Sequence, residues 1–259
     1  MKDIKKAIQS NELVVGTMSI CSHPTMIEML GFAGFDFVVI DTEHGAAAPS
    51  SLELENLIRA AYAGDITPFV RVNEIQQGMI EKALDFGAKG IVIPHVETVE
   101  EAELCVKSAF FPTKGERGAA RPVRASRHGW ESLEEFLRKS NEETVLLPLI
   151  ETARGLNKFE KLIKVKEIDA FIYGYFEMSL TMGYGGVQNE KMMECENYFY
   201  DLCKRENKPI GDYRISISEA QRVIKKGCKI MLYSADLIYT SEKFKELMKE
   251  IDTRLKISI

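Results

Sequence analysis

The sequence has no surplus of basic residues and no long hydrophobic run. Its 259 residues include 34 lysines and arginines against 39 aspartates and glutamates, a net charge of -5. Nucleic-acid-binding domains usually carry the opposite balance, so we exclude nucleic acid as a partner. No apolar run approaches the roughly 18 residues of a membrane helix, which excludes a membrane partner. The first six residues lead into polar residues and not into the apolar core of a signal peptide, so we expect a cytoplasmic protein.

Paired cysteines and glycine-rich phosphate motifs are also lacking. The five cysteines are scattered and odd in number, with no C-x-x-C spacing, which argues against a disulfide framework and a zinc knuckle. The pattern G-x-G-x-x-G does not follow the first predicted strand, and no Walker A sequence occurs. The phosphate-binding signatures of open nucleotide-binding sheets are therefore missing.

What is present is a regular alternation of short β-branched runs with longer amphipathic stretches. Most of the short runs are nearly continuous in apolar residues, which is typical of strands covered on both faces of a parallel sheet. They are Leu13–Ser19, Phe37–Asp41, Pro68–Val72, Gly90–Pro94, Thr144–Ile150, Ala170–Gly174, Pro209–Asp212 and Lys229–Ser234. Eight such repeats in about 250 residues match a (β/α)8 barrel. We predict one barrel domain over residues 1–259, with a doubly wound open sheet as the alternative.

Polar residues follow the predicted strands. Active sites of such barrels lie at the carboxyl ends of the strands. Charged groups placed directly after buried runs are costly unless they are paired or bind a metal. The residues concerned are Asp41, Glu43, His44, Arg71, His95, Glu151, Glu177, Asp212, Arg214 and Asp236. Their convergence on one rim predicts a functional site there.

Two carboxylates follow neighbouring strands. Glu151 and Glu177 could together hold one divalent cation, because oxygen ligands with room for water and substrate suit Mg²⁺ or Mn²⁺. The alternative is that each carboxylate pairs with a nearby lysine or arginine. The spacing alone leaves both interpretations open.

The remaining candidates are a histidine and an arginine. His44 could act as a general base, since imidazole titrates near neutrality, and Asp41 or Glu43 could orient it. Arg71 could clamp a carboxylate or stabilise an enolate through its planar fork. Each could instead be structural, His44 as a strand-end histidine and Arg71 in a salt bridge. His95 is interpreted as lining the pocket at most.

A long irregular segment, Phe110–Trp130, separates the fourth strand from the fifth and is rich in arginine. Long loops in compact domains are usually lids or interface elements. We expect this segment to fold over the mouth of the barrel or to pack on a neighbouring subunit, with a solvated basic loop as the alternative.

Several stretches resemble the HpcH/HpaI aldolase family. They are FVVIDTEHGAAAPSSLELENL at Phe37–Leu57, PFVRVN at Pro68–Asn73, ALDFGAKGIVIPHVET at Ala83–Thr98, FFPTKGERG at Phe110–Gly118 and LIET at Leu149–Thr152. Their order and spacing agree with the family over nearly the whole chain. The combination of DTEHG with ALDFGAKGIVIPHVET is specific.

The resemblance implies a barrel of the phosphoenolpyruvate/pyruvate-binding type, assembled as a trimer or hexamer with the C-terminal helix exchanged between subunits. Members are class II pyruvate aldolases, similar to 2-dehydro-3-deoxyglucarate and 4-hydroxy-2-oxoheptanedioate aldolases. The implied reaction cleaves a 4-hydroxy-2-oxo acid to pyruvate and an aldehyde. It passes through a pyruvate enolate that a divalent metal, Mg²⁺, Mn²⁺ or Co²⁺, stabilises.

The resemblance also implies roles for individual residues. His44 would be the catalytic base, and Arg71 would bind pyruvate and stabilise the enolate. Glu151 would ligate the metal. Asp41 and Asp85 would be supporting carboxylates near the histidine, with an approach across a subunit boundary as one option.

Parts of the sequence depart from the family pattern. The sixth-strand motif Gly-Pro-Ala-Asp-Leu-Ser becomes Gly174–Ser179, GYFEMS, so that Glu177 replaces the metal-binding aspartate and Phe176 a small residue beside the substrate carboxylate. Leu149 occupies a position where several members carry a glutamine that touches substrate. Asp212-Tyr213-Arg214 replaces a small apolar stretch. We expect Phe176, Glu177 and Leu149 to contact substrate.

These departures leave other functions open. The barrel could carry out another enolate reaction, including that of a coenzyme A-thioester lyase, or it could have a non-catalytic binding role. A coenzyme A site needs a basic nucleotide-binding surface, for which Arg117–Arg127 is the only candidate segment. The joint presence of His44, Arg71 and Glu151 speaks against a role without catalysis.

Overall fold

Within residues 1–186 and 189–255, which the computed structural model describes, eight parallel strands close into a barrel in sequence order. Residues 187–188 and 256–259 of the predicted domain lie outside the described residues. The strands are β1 (Val14–Ser19), β2 (Phe37–Asp41), β3 (Thr67–Arg71), β4 (Gly90–Ile93), β5 (Val145–Ile150), β6 (Phe171–Tyr173), β7 (Ile210–Arg214) and β8 (Cys228–Ala235). The predicted (β/α)8 barrel is confirmed.

Helices alternate with these strands and cover the barrel. They are α1 (Ile4–Gln9), α2 (Pro24–Phe32), α3 (Leu52–Ala63), α4 (Gln77–Asp85), α5 (Val99–Ala109), α6 (Leu133–Glu143), α7 (Ala153–Asn157), α8 (Phe159–Leu162), α9 (Tyr175–Thr181), α10 (Glu190–Arg205), α11 (Ile217–Lys226) and α12 (Asp236–Leu255). Many begin at a capping side chain; Thr98 and Glu101, for example, form a reciprocal capping box at the start of α5. Among the described helices, none combines the length and apolar composition that crossing a membrane requires.

The strands present alternate residues to two separate cores. Phe37 and Val39 of β2 belong to the core inside the barrel, whereas Val38 and Ile40 pack under the helices. Successive side chains of a strand point to opposite faces, so the residue after Ile40, Asp41, points inward again. The same parity carries inward-facing residues from the barrel core up to its rim.

Aromatic rings fill the inside of the barrel. Phe37 and Phe69 pack against each other with ring centroids 5.1 Å apart. Glycines on the neighbouring strands make room for the two rings: a Cβ at Gly16 would overlap the ring of Phe37, and a Cβ at Gly90 would lie 2.7 Å from that of Phe69. The middle of the barrel is thus a packed core and not a channel.

Helix α1 covers the end of the barrel where the strands begin. Ile4 and Ile8 are buried against the inner core. Lys5 is buried beside them, and its Nζ donates to the carbonyl oxygen of Thr144 at 2.6 Å and lies 3.1 Å from Oδ1 of Asp169. The charge is therefore paired where it is buried, and α1 is fixed to this end.

The arginine-rich segment lies at this same end, so the expectation that it covers the mouth is wrong for the single chain. It includes a 3-10 helix, Arg124–Gly129, that packs against α4 and α6. Arg124 stacks 4.5 Å above the ring of Tyr62 and donates to the carbonyl oxygen of Phe86. Arg117 is buried and bound to Asp85 at 2.7 Å. Arg117 and Arg124 are thus partnered within the chain, whereas Arg121 and Arg127 are exposed, so the coenzyme A surface stays a prediction.

Asp212 and Arg214 point away from the rim, contrary to the predicted convergence. On β7 the inward positions are Gly211 and Tyr213, and the two charged residues face the helices instead. Nε of Arg214 lies 2.9 Å from Oδ1 of Asp212, and Nη2 donates to Glu196 of α10 at 2.7 Å. Asp236 is likewise structural, since its carboxylate accepts backbone N–H groups next to β1.

Glu196 in this buried charge cluster contributes stability that is lost in acid. Burial would raise the pKa of Glu196, but hydrogen bonds from Arg222 and Lys226 outweigh it and lower the pKa to about 2 from 4.5. A depressed carboxyl pKa gives stability that is present above pH 4.5 and lost as the pH falls towards 2. Between pH 4.5 and pH 2, we expect the free energy of unfolding in urea to fall by about 2 kcal/mol less in Glu196→Gln than in the parent protein. Equal declines in both proteins would contradict this role.

Candidate active site

A cavity of about 330 Å³ opens at the carboxyl ends of the strands, at the end opposite to α1. Such a position is where barrel enzymes bind their substrates. We call it the rim cavity, and its lining consists of Met18, Ile20, Glu43, His44, Arg71, Val92, His95, Leu149, Glu151, Gly174, Phe176, Glu177, Tyr213 and Leu232.

Asp41 and Arg71 form a bidentate ion pair beneath the rim cavity. Nε and Nη2 of Arg71 donate to the two carboxylate oxygens of Asp41 at 2.9 and 2.6 Å. Asp41 is fully buried, and its Oδ1 also accepts the backbone N–H groups of Glu43 and His44. The aspartate therefore fixes both the guanidinium and the turn that carries the candidate base. Asp41 therefore lies near His44, as predicted, and contacts it through the backbone N–H group of His44.

Glu43, His95 and Glu151 form a connected row of ionisable groups. Nη1 of Arg71 lies 3.1 Å from Oε2 of Glu43, and Nε2 of His95 lies 3.4 Å from Oε1 of the same glutamate. On its other side, His95 has Nδ1 3.5 Å and its backbone nitrogen 2.8 Å from Oε1 of Glu151. Four ionisable side chains, those of Arg71, Glu43, His95 and Glu151, thus face one another across a small volume, where proton transfer and anion binding are both feasible.

Glu151 fits at the rim because Gly174, which follows the next strand, has no side chain. It is only 7% exposed, and burial raises the pKa of its carboxyl group. A Cβ on Gly174, directly after β6, would overlap the Cβ of Glu151 and lie 3.0 Å from its Oε2. The glycine thus leaves the space in which the glutamate enters the cavity.

We expect Gly174→Ala to displace Glu151 and to destabilise the protein by about 1–3 kcal/mol, the usual effect of overpacking. Activity should fall with it. The matched control is Gly78→Ala in α4, where nothing lies within 4 Å of the added methyl group. That change should leave activity intact and stabilise the helix by up to about 1 kcal/mol. Thermal unfolding and steady-state kinetics check both; equal behaviour of the two variants would refute the packing argument.

The residues expected to contact substrate also lie around the rim cavity. Leu149 points inward from β5, two residues before Glu151. Phe176 and Glu177 come from the first turn of α9, and Phe176 is 56% exposed at the edge of the cavity. Glu151 and Glu177 therefore line one cavity, as the sequence predicted. That the two carboxylates share one metal ion is proposed below.

His44 and Asp85 differ in their surroundings. The His44 side chain is 69% exposed, and its Nε2 lies 3.9 Å from Oε2 of Glu43. Asp85 ends α4, so it lies at the end of the barrel opposite to the rim cavity and is bound to Arg117. Within one chain, Asp85 does not support the histidine. Its approach across a subunit boundary stays a prediction.

His95 and Tyr213 both line the rim cavity, although the sequence indicated His95 only as a lining residue and did not point to Tyr213. His95 has a φ of 53°, in the left-handed region that non-glycine residues seldom adopt. Strain of this kind concentrates at functional sites, but it cannot be read from a sequence. Tyr213 could have been found, because it stands two positions after the inward-facing Gly211 of β7.

A closed eight-stranded barrel with an acidic cavity and one paired guanidinium at its carboxyl end defines an enzyme of the barrel class. Residues 16–239 match the model of the HpcH/HpaI aldolase/citrate lyase family. The chain belongs to this family, which confirms the resemblance read from its sequence. It is therefore an aldolase-type carbon–carbon lyase that acts on a small molecule.

One named relative and two solved structures are similar to this chain. A 5-keto-4-deoxy-D-glucarate aldolase of Escherichia coli (strain K12) is 28% identical over 235 residues, covering 90% of each chain. The structure of an HpcH/HpaI aldolase/citrate lyase family protein from Burkholderia cenocepacia J2315 has a TM-score of 0.90 at 23% identity, covering 97% of this chain and 99% of that one. Citrate synthase SbnG has a TM-score of 0.84 at 25% identity, covering 98% and 97%.

Proposed function

We propose that the protein cleaves a 4-hydroxy-2-oxo acid to pyruvate and an aldehyde through a pyruvate enolate. The observation that carries the proposal is the placement of the Arg71 guanidinium and the Glu151 carboxylate on one cavity. An arginine fixed by a buried aspartate is a preorganised partner for a carboxylate or an enolate oxygen, because it need not reorient when charge develops.

The donor set of the rim cavity fits a divalent cation. Glu151 and Glu177 would hold it through carboxylate oxygens, the ligands that Mg²⁺ and Mn²⁺ prefer; Co²⁺ is also compatible. In the part of the chain that the structure describes, no three histidine, cysteine, aspartate or glutamate side chains are arranged to hold an ion. With Glu151 and Glu177 as its two protein ligands, a bound ion would keep positions for water and substrate. When bound, it would supply Lewis-acid polarisation of the 2-oxo group.

The side chains would act on the substrate in order. Arg71 binds the carboxylate and 2-oxo end, and His44 accepts the proton of the 4-hydroxyl group at an imidazole nitrogen. The C3–C4 bond then breaks, its electron pair moves into the enolate, and the aldehyde leaves. Arg71 stabilises the enolate charge, which is expected to be the largest single contribution. A proton returned to C3 completes pyruvate.

We also propose that α12 is exchanged between subunits of a trimer or hexamer. All side chains of residues 241–250 are exposed in the single chain, and Phe244 and Leu247 are 63% and 46% exposed. Exposed apolar side chains on a projecting helix are typical of an interface.

All five cysteines carry free thiols, which is compatible with the cytoplasmic location expected from the sequence.

The proposal is tested by incubating the metal-loaded protein with 4-hydroxy-2-oxo acids of different chain length. Pyruvate release is followed through NADH oxidation by lactate dehydrogenase. We expect release that a chelator abolishes and that added Mg²⁺, Mn²⁺ or Co²⁺ restores. If no member of the series yields pyruvate from metal-loaded protein, the proposed reaction is wrong.

A further inference from the structure

The rim cavity has two walls of different chemistry. The ionisable groups described above lie on β2 to β5 and at the start of α9. The other wall comes from β7, β8 and β1, with Leu149 of β5, and is apolar apart from one phenol group; on the ionisable side, Val92 of β4 is a further apolar lining residue. The side chains of the apolar wall are Met18, Ile20, Leu149, Tyr213 and Leu232, and Phe176 continues it to the edge.

Charge disfavours a second carboxylate on the substrate. Arg71 is the only lysine or arginine among the described residues that line the rim cavity, and its guanidinium already meets Asp41 and Glu43. Glu43, Glu151 and Glu177 supply three carboxylates to the same lining. One divalent cation and the pyruvate moiety would use the available positive charge. A further anionic group would then be partly buried without a partner, which is strongly unfavourable.

The apolar wall favours a neutral hydrocarbon in that place. Met18, Leu149 and Leu232 are fixed in the inner core of the barrel, so their surface towards the cavity is rigid. The ring of Phe176 is 56% exposed beside them and would be covered by a ligand. Each buried methylene group of such a ligand strengthens binding by about fourfold.

We propose that the aldehyde accepted or released at this site is neutral and apolar, and carries no carboxylate. This inference rests on the proposed function and specifies its substrate class. It assigns Phe176, Tyr213 and Leu232 to the recognition of the hydrocarbon part. The pyruvate half stays with Arg71 and the carboxylates.

Aldol addition with two isosteric acceptors tests the inference. Metal-loaded protein and pyruvate are combined with 4-methylpentanal or with succinic semialdehyde, in which a carboxylate replaces the isopropyl group. We expect kcat/KM to favour 4-methylpentanal by on the order of 100-fold. Equal rates, or a preference for succinic semialdehyde, would overturn the inference while leaving the proposed reaction standing.

A charge placed at the edge of the cavity supplies the matched pair of variants. Phe176→Arg should lower the preference for 4-methylpentanal at least tenfold. The control Phe32→Arg puts the same charge on α2, at a phenylalanine that is 73% exposed and does not line the rim cavity. It should leave the preference unchanged. The same response from both variants would show that the wall at Phe176 does not select the acceptor.

A binding measurement separates the inference from the reaction. The unreactive alcohols 4-methylpentan-1-ol and 4-hydroxybutanoate can be compared by saturation-transfer NMR. We expect a signal for the first alcohol that Phe176→Arg weakens, and little for the second. This result would support the inference even if no aldehyde reacted, whereas stronger binding of 4-hydroxybutanoate would overturn it.

Discussion

Arg71→Ala is expected to lower kcat/KM for pyruvate release by about 10²–10³-fold, the usual effect of removing one group that stabilises an oxyanion. It should also cost about 3–5 kcal/mol of unfolding free energy, because Asp41 is fully buried and would lose its partner. Steady-state kinetics and urea unfolding measure the two effects. Arg71→Lys should recover only part of each, since an ammonium group cannot make the bidentate contact.

A double variant separates the two roles of this arginine. In Asp41→Asn/Arg71→Met both charges are gone, so most of the stability lost in Arg71→Ala should return. Activity should stay low because the enolate still lacks its cationic partner. If the stabilised double variant regained activity, the arginine would be structural and its catalytic assignment wrong.

Glu151→Gln is expected to abolish binding of the divalent cation and to lower activity by three orders of magnitude or more, on the order of other losses of a metal or oxyanion partner. Its stability should respond in the opposite way to that of Arg71→Ala. Burial raises the pKa of Glu151, so the charged form is disfavoured in the folded protein. Without metal, the neutral amide should be at least as stable as the parent. Metal titration by calorimetry and thermal unfolding check both statements.

Two further variants act as controls for Glu151. Glu177→Asp should keep cation binding, because it restores the shorter carboxylate of the family motif. Glu160→Gln removes an exposed carboxylate that pairs with Arg205 far from the cavity, and it should change neither metal binding nor activity. Retention of full metal affinity by Glu151→Gln would show that this glutamate is not a ligand.

Periodicity explains how much of the fold could be predicted. The strands are buried apolar runs, and the structure moves their ends by two residues at most. No helix was predicted at α6, although Leu133, Phe136 and Leu137 form a short apolar stripe; only Phe136 of the three is buried. The amphipathic stretch Leu156–Val165 contains only the end of α7 and the short α8, which meet at Lys158.

The candidate site was predictable as far as residue parity within a strand allows. Asp41 and Glu151 follow inward-facing core residues at intervals of two, and the sequence identified both. Asp212 and Arg214 were misplaced because they were treated as strand-end charges without counting parity. The role of Asp85 was assigned by resemblance alone. The structure places it at the end of α4, which lies opposite to the rim cavity of the same chain. The strained backbone of His95 depends on tertiary contacts that a sequence does not contain.

The exchange of the methyl protons of pyruvate with deuterium tests the central claim most directly, because it requires no aldehyde. The metal-loaded protein is incubated with pyruvate in D₂O, and loss of the C3 proton signal is followed by NMR. If the rim cavity forms a pyruvate enolate, exchange will be catalytic in the parent protein and slower by about 100-fold or more in Arg71→Ala and Glu151→Gln. No exchange above the buffer rate in the parent, or equal exchange in all three proteins, would contradict the account.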